Sequence, residues 1–180
     1  DVIELKKFIN HNQSILTHLK IDTGMGRLGV EFEEAEYIMK VLANIPAIRV
    51  EGIYSHFSTA EESDTQFRDL QLQRFQEVVK MANELLPETE YFHIANSAGI
   101  LNCQNSCFNM VRPGISLYGV SSLGKIHNKL SPVMRMKAPV VMVKKIKSGE
   151  SVGYNRLFTA EKDEKIALLQ AGYADGIPLE

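Results

Sequence analysis

Side chains that can bind ligands, donate hydrogen bonds or titrate follow four successive hydrophobic runs in this 180-residue sequence. They are Lys20 and Asp22 in the first run, His56 after the second, Asn96 and Ser97 after the third, and Arg112 in the fourth. Ammonium, carboxylate, imidazole, hydroxyl and guanidinium groups serve in acid–base chemistry and in anion binding. Because parallel α/β folds build their sites at the carboxyl ends of strands, we expect these residues to share one site.

The first run indicates how such residues are positioned. Residues 15–22 read ILTHLKID, in which Ile15, Thr17, Leu19 and Ile21 alternate with His18, Lys20 and Asp22. A period of two predicts a strand with one apolar and one polar face. If the apolar face is covered by helices, the polar face lines the interior of a barrel.

Helical and strand patterns then alternate along the chain. Residues 31–43 have helical spacing, and a long helix ends near Pro87, its start marked by the capping-box pair Ser63 and Gln66. Three further strands are predicted in IRVEGIYSHF, YFHIAN and FNMVRPGISLYG. From about Pro132 the sequence becomes rich in β patterns with glycine turns and has no long helical segment.

We therefore predict an α/β fold, a partial eight-stranded (β/α) barrel of the TIM type that comprises later strands, followed by the start of a mostly β domain. The expected boundaries are 1–124 for the second half of the barrel and 125–180 for the truncated β domain. Since a complete barrel takes about 250 residues, we expect the chain to be an excerpt of a longer protein. The terminal Leu179-Glu180 is either native or a cloning scar.

Composition excludes several classes of function. The formal net charge of −2 gives no basis for binding nucleic acid or an anionic membrane, and no apolar run reaches the roughly 18–20 residues of a membrane span. The N-terminal segment lacks the order of a signal peptide. Cys103 and Cys107 form one isolated pair, too few ligands for a zinc site, and we expect free thiols in a cytoplasmic protein without a metal.

Five sequence blocks resemble consecutive signatures of the alanine racemase family. They are HLKIDTGMGRLGV (18–30), GIYSHFSTAEE (52–62), HIANSAG (93–99), VRPGISLYG (111–119) and AGYADG (171–176). The resemblance implies a barrel that binds pyridoxal 5'-phosphate (PLP), a following β domain, and a head-to-tail homodimer. It also implies interconversion of L- and D-alanine by two-base proton transfer, which supplies D-alanine for peptidoglycan.

The resemblance assigns catalysis to Tyr173, acting across the dimer interface on the α-proton of the substrate. Phenols have an ordinary pKa of about 10, so such a base needs a neighbour that favours the phenolate. Arg27 is the expected neighbour and would bind the substrate carboxylate, because guanidinium is permanently charged and binds carboxylates in a fork. His56 is expected in the same polar network.

The resemblance also implies the cofactor contacts. Arg112 would donate to the pyridine nitrogen of PLP without surrendering its proton, which leaves the ring a weaker electron sink and suits racemisation. Ser97 and the backbone N–H groups of Gly114 and Ile115 would hold the phosphate, since strand exits with unpaired amides suit anions. Asn96 adjoins this group, although Asn-Ser pairs also serve as helix caps.

Lys20 has two interpretations. A lysine beside Arg27 brings two cations together, and by resemblance Lys20 would be N-carboxylated so that the carbamate positions the arginine. The alternative is an ion pair with Asp22. No segment matches the family's Schiff-base lysine, so we expect the isolated chain to bind PLP weakly, without a Schiff base, and to be inactive.

Three other functions stay open at this point. One is a racemase for serine or for several amino acids. A second is a basic amino-acid decarboxylase, which is disfavoured because those enzymes place a carboxylate where Arg112 is expected. The third is a non-catalytic PLP-binding barrel that self-associates through exposed strand edges.

Overall fold

The computed structural model describes residues 14–121, 123 and 130–178. The chain divides into two compact units, Asp1–Val133 and Met134–Glu180. The domain boundary expected after residue 124 falls outside the described residues and stays a prediction, as does the origin of Leu179-Glu180.

A four-stranded parallel sheet forms the centre of the first unit. Its strands are β1 (Ile15–Asp22), β2 (Val30–Glu31), β3 (Ile48–Tyr54) and β4 (Tyr91–His93), in the order β2-β1-β3-β4. All neighbouring strands run parallel. The carboxyl ends of the strands therefore lie along one edge of the sheet, as the sequence pattern predicts.

Helices follow the strands. They are α1 (Ala35–Ala43), α2 (Gln66–Leu85) and the short α3 (Ser97–Asn102), and a 3-10 helix covers Ile115–Tyr118. The buried residues of α2 recur at helical spacing: Gln71, Phe75, Val78 and Ala82. This stripe packs against the sheet because three to four apolar positions per two turns face the same side.

The two faces of the sheet differ in chemistry. The apolar face packs against α1 and α2 in one core, whose fully buried members include Ile21, Met39, Ile53, Phe75 and Val78. The other face carries two polar rows, since residues in register on parallel strands point the same way. The rows are His18–Gly52–Tyr91 and Lys20–Tyr54–His93. This polar face is the expected interior of a barrel.

Two local predictions are wrong. Residues 108–114, all of them described, form no strand; the Arg112 N–H donates to the Ala95 carbonyl oxygen (3.0 Å), and one such bond does not make a ladder. The capping box does not form either. Helix α2 begins at Gln66, whose N–H bonds the Asp64 carboxylate at 2.9 Å, so the aspartate replaces Ser63 as the acceptor.

The second unit is built from short antiparallel pairs. Strand β5 (Val140–Ile146) pairs with β8 (Glu164–Leu169), and β6 (Ser151–Val152) pairs with β7 (Phe158–Thr159). This confirms the predicted change to β structure. None of the described helices in either unit has the length and hydropathy needed to cross a membrane.

Candidate functional site

Arg112 lies at the centre of the polar cluster at the carboxyl ends of the strands. Its Nη1 donates to the His93 carbonyl oxygen (3.0 Å) and to His93 Nδ1. Its Nη2 donates to the Ser55 carbonyl oxygen (2.6 Å) and to His56 Nδ1 (3.2 Å). A guanidinium has five N–H donors, and the Arg112 Nε–H is the one without an acceptor among the described residues.

The Tyr54 ring provides the surface on which these groups stack. The Arg112 Cζ lies 5.2 Å from the ring centroid and the Lys20 Nζ lies 5.9 Å from it. The His93 ring stacks on Tyr54 with centroids 5.1 Å apart and planes 7° from parallel. Burial lowers the pKa of Arg112, Tyr54 acts in the opposite direction, and the guanidinium remains charged.

Arg112 fixes the protonation of two histidines. Because a guanidinium only donates, Nδ1 of His56 and of His93 must accept, and each neutral ring carries its proton on Nε2. His93 Nε2 then donates to His18 Nδ1 (2.8 Å), and His18 Nε2 faces Glu51 at 3.9 Å. Burial, followed by the charge of Arg112, lowers the pKa of His56, and the same causes lower that of His93 to about 4.

The loop after β1 is organised by the buried carboxylate of Asp22. Oδ1 accepts from the N–H groups of Gly24 (2.8 Å) and Met25 (2.7 Å), and Oδ2 accepts from that of Arg27 (3.0 Å). Burial by itself would raise the pKa of Asp22, but these backbone donors lower it below its ordinary value. The carboxylate thus fixes the backbone that carries the exposed Arg27.

Lys20 lies among cations rather than in an ion pair. Burial lowers its pKa, and the charges of Arg27 and Arg112 act in the same direction, whereas Asp22 opposes them. No carboxylate oxygen of the described residues comes within 4.0 Å of Lys20 Nζ. The predicted alternative of a Lys20–Asp22 ion pair is therefore wrong, because Asp22 is engaged by backbone N–H groups.

Ser97 joins the start of α3 to the segment after Arg112. Its buried Oγ accepts from the Gly114 N–H (2.8 Å), the Ser116 N–H (3.3 Å) and the Ser116 hydroxyl (3.2 Å). The Ile115 N–H reaches no acceptor among the described residues. The structure thus brings Ser97, Gly114 and Ile115 together.

Asn96 acts as the helix cap that the sequence offered as its second interpretation. Its Oδ1 accepts from the Gly99 N–H at 2.9 Å, which satisfies one of the free amides at the start of α3. This bond stabilises the first turn of α3, which begins at Ser97. A direct contact of Asn96 with a cofactor stays a prediction.

Tyr173 belongs to the second unit. It begins a 3-10 helix, Tyr173–Asp175, and its side chain is exposed. The Gly172 N–H bonds the Asp175 carboxylate (3.0 Å), and Gly176 closes the turn with φ of 83°. This turn presents the phenol outward, where a second molecule can reach it.

Sequence reasoning did not single out His93, Tyr54, Ser55 or Gln71, all of which contribute to the cluster. His93 and Tyr54 lie on the polar face, which the period-two alternation of β3 and β4 could have revealed. Ser55 contributes through its backbone oxygen, for which a sequence gives no signal. Gln71 interrupts the apolar stripe of α2, and that interruption was the available clue.

Comparisons with known proteins agree on one family. The family profile "Alanine racemase, N-terminal domain" matches residues 2–122, and "Alanine racemase, C-terminal domain" matches residues 133–180. The alanine racemase of Syntrophobacter fumaroxidans is 38% identical over 169 residues, which cover 93% of this chain and 45% of that protein. The chain thus spans about half the length of the curated relatives it matches.

Solved structures confirm the fold class. The alanine racemase of E. faecalis superposes with a TM-score of 0.73 at 34% identity, covering 97% of this chain and 48% of that one. The alanine racemase of Bartonella henselae, solved with covalently bound pyridoxal phosphate, gives 0.74 at 31% identity and covers 98% and 47%. The parallel sheet is therefore part of an α/β barrel of the TIM type followed by a β domain, and the chain belongs to the alanine racemase family.

Proposed function

We propose that this chain is the part of a PLP-dependent alanine racemase that holds the cofactor and supplies one of the two catalytic bases. One observation carries the proposal. Arg112 has four of its N–H donors engaged by the strand ends and keeps Nε–H available at the site. A permanently charged donor fixed in this way suits an aromatic nitrogen that must accept a hydrogen bond without being protonated.

The described residues fit the two polar ends of the cofactor. Arg112 Nε–H would hold the pyridine nitrogen. The Ser97 hydroxyl and the Ile115 N–H would hold the phosphate, and the Gly114 N–H would join them by exchanging its bond to Ser97 Oγ for one to the phosphate. When bound, PLP supplies an electron sink that acidifies the α-proton of an amino acid.

The remaining residues act on the substrate. Arg27, fixed through its backbone by Asp22, would bind the alanine carboxylate in a fork. Tyr173 would take or return the α-proton on one face of the substrate, in the active site of a second subunit. Its exposure in the second unit supports this assignment, because an exposed phenol can reach a partner. For this reason we propose that the protein is a homodimer. We also propose a cytoplasmic location, with which the free thiols of Cys103 and Cys107 agree.

The surroundings of Lys20 support carbamate formation. An amine must be neutral to attack carbon dioxide, and burial together with Arg27 lowers the pKa of Lys20. The new N–C bond releases one proton and gives an anion, which converts repulsion between Lys20 and Arg27 into attraction. Intact-mass measurement should show a gain of one carbon dioxide that is lost in Lys20→Met.

Replacement of the phenol in the full-length protein tests the proposed function. We expect native protein and Tyr154→Phe to interconvert L- and D-alanine, and Tyr173→Phe to lose most of the activity. Tyr154 is a suitable control because it is an exposed tyrosine of the same unit. Undiminished turnover in Tyr173→Phe would refute the assignment. Faster turnover of serine than alanine would make it a serine racemase, and carbon dioxide release from lysine would indicate a decarboxylase.

The isolated 180-residue chain provides a second test. Without a lysine in the Schiff-base position, we expect weak PLP binding and no racemisation. A borohydride-reducible absorbance band that maps to one specific lysine would contradict that expectation. Light scattering would at the same time establish whether the chain self-associates.

A further inference from the structure

Gln71 is a polar residue in a position where α2 should be apolar. It begins the buried stripe that continues through Phe75, Val78 and Ala82, and its side chain is completely buried. Burying an amide is costly unless its hydrogen-bonding groups all find partners, whereas leucine or methionine would fill the same position without that requirement. The contacts that Gln71 makes therefore need an explanation beyond packing.

All four hydrogen-bonding positions of the Gln71 amide are used. Oε1 accepts from the Ser58 N–H (3.0 Å) and the Ser58 hydroxyl (3.1 Å). Nε2 donates to the His56 carbonyl oxygen (3.1 Å) and to Thr23 Oγ1 (3.5 Å). Because the Ser58 N–H can only donate and the His56 carbonyl can only accept, the amide has one orientation. Gln71 thus joins α2 to the loops after β1 and β3.

The loop segment that Gln71 holds is also the one that orients Arg112. Arg112 Nη2 donates to the Ser55 carbonyl oxygen (2.6 Å) and to His56 Nδ1 (3.2 Å). On the other side, Gln71 Nε2 holds the His56 carbonyl oxygen, and Thr23 Oγ1 bonds the Ser55 hydroxyl at 2.8 Å. The Ser55–His56 segment therefore joins the Gln71 amide to the guanidinium.

We propose that Gln71 is a positioning residue that aims the Nε–H of Arg112 by fixing the Ser55–His56 segment. The proposal rests on the function proposed above, because the aimed donor is the one assigned to the cofactor. It predicts that loss of the amide displaces the His56 ring from Arg112 and turns the guanidinium. A merely structural role would change stability and leave both groups in place.

The pKa of His56 is a measure of where its ring lies relative to Arg112. Burial and the charges of Arg112, Arg27 and Lys20 lower the pKa of His56. In the 180-residue chain without cofactor, NMR titration of Gln71→Met should therefore give a higher His56 pKa than the native chain, closer to the ordinary value. Gln73→Met is the matched control, because Gln73 is exposed on the same helix and bonds Glu77 (3.3 Å). It should leave the titration unchanged.

Cofactor affinity provides the second measurement. In the full-length protein, Gln71→Met should weaken PLP binding about tenfold, equivalent to about 1.4 kcal/mol, whereas Gln73→Met should bind PLP as the native protein does. An unchanged His56 titration in folded Gln71→Met would overturn the proposal. Equal PLP affinity in the two variants would overturn it as well.

A second pair of variants serves if Gln71→Met does not fold, as judged by circular dichroism. Thr23→Val removes the hydroxyl that links Gln71 to Ser55, and Thr23→Ser retains it. We expect a raised His56 pKa in Thr23→Val and recovery in Thr23→Ser; identical titrations in the two variants would overturn the proposal.

The two proposals fail separately. If the His56 pKa rises as expected but the full-length protein does not racemise alanine, the proposed function is wrong and the positioning role stands. If alanine is racemised but Gln71→Met leaves the His56 titration unchanged, the positioning role alone is wrong.

Discussion

Acid should destabilise the first unit in part by protonating His93. The pKa of His93 is about 4 in the folded chain, against 6.5 for a free imidazole, because the ring is buried and faces Arg112 and His18. As the pH falls through 6.5, the unfolded chain binds a proton that the folded chain does not. This contribution to stability is therefore complete above pH 6.5 and is lost by about pH 4. At about 1.36 kcal/mol per pKa unit, the loss is about 3 kcal/mol.

Urea unfolding at several pH values measures this loss. The described α-helices all lie in the first unit, so far-ultraviolet circular dichroism follows that unit. The variant His93→Gln keeps one acceptor for Arg112 and one donor for His18 but does not titrate. Between pH 6.5 and 4 the native chain should lose about 3 kcal/mol more unfolding free energy than His93→Gln. Carboxylates that titrate in both proteins cancel in this difference.

Parallel stability curves for native protein and His93→Gln would refute the reasoning. The variant His18→Gln is the control, because His18 contributes less to the lowered pKa of His93 than burial and Arg112 do. We expect His18→Gln to retain most of the acid-dependent loss. An NMR titration of His93 with a midpoint near 6.5 would contradict the same argument independently.

Three substitutions test other parts of the site. Asp22→Asn should lower the free energy of unfolding by about 1.5–3 kcal/mol in urea, because its new NH₂ group opposes the backbone N–H that Oδ2 now accepts. Gly52→Val should lower the free energy of unfolding by about 1–3 kcal/mol, since a Cβ at this position would overlap the His18 imidazole. Gly172→Ala is the control, because a Cβ there contacts nothing, and it should change the free energy of unfolding by less than about 0.5 kcal/mol. In the full-length protein, Ser97→Ala should weaken PLP binding about tenfold in a fluorescence titration, because it removes the hydroxyl assigned to the phosphate. Unchanged affinity would contradict the phosphate assignment.

Hydrophobic periodicity was sufficient to predict the strands and helices that bury one face. The alternation in ILTHLKID predicts Ile15–Asp22, the observed bounds of β1, because every second residue must face the helices. Helical spacing predicts α1 and α2 for the same reason. The fourth strand failed because FNMVRPG has strand composition but makes only one ladder-type bond, from Arg112 to Ala95. A strand forms only when a neighbouring strand supplies a ladder of hydrogen bonds, and a single sequence does not specify which segment that is.

The sequence predicted the charged and hydroxyl side chains of the candidate site but not the backbone acceptors and the buried amide that orient them. Arg112 and Ser97 can be identified from the sequence because they are polar residues that lie in or directly after hydrophobic runs. Acceptors such as the Ser55 carbonyl oxygen are common to all residues and give no sequence signal. The role of Gln71 depends on contacts with loops 13 to 48 residues away in the chain, so only the folded structure reveals it.

The chain of bonds from Arg112 through His93 to His18 has a fixed direction, since the guanidinium at its head never accepts. A chain of hydrogen bonds that conducts protons by the Grotthuss mechanism must reverse the direction of every bond after each proton transfer. The Arg112–His93–His18 chain cannot do so. The histidines behind Arg112 therefore carry no protons to or from a group that is bound to the guanidinium. A proton that passes between such a group and solvent has to travel by a route that avoids the guanidinium altogether.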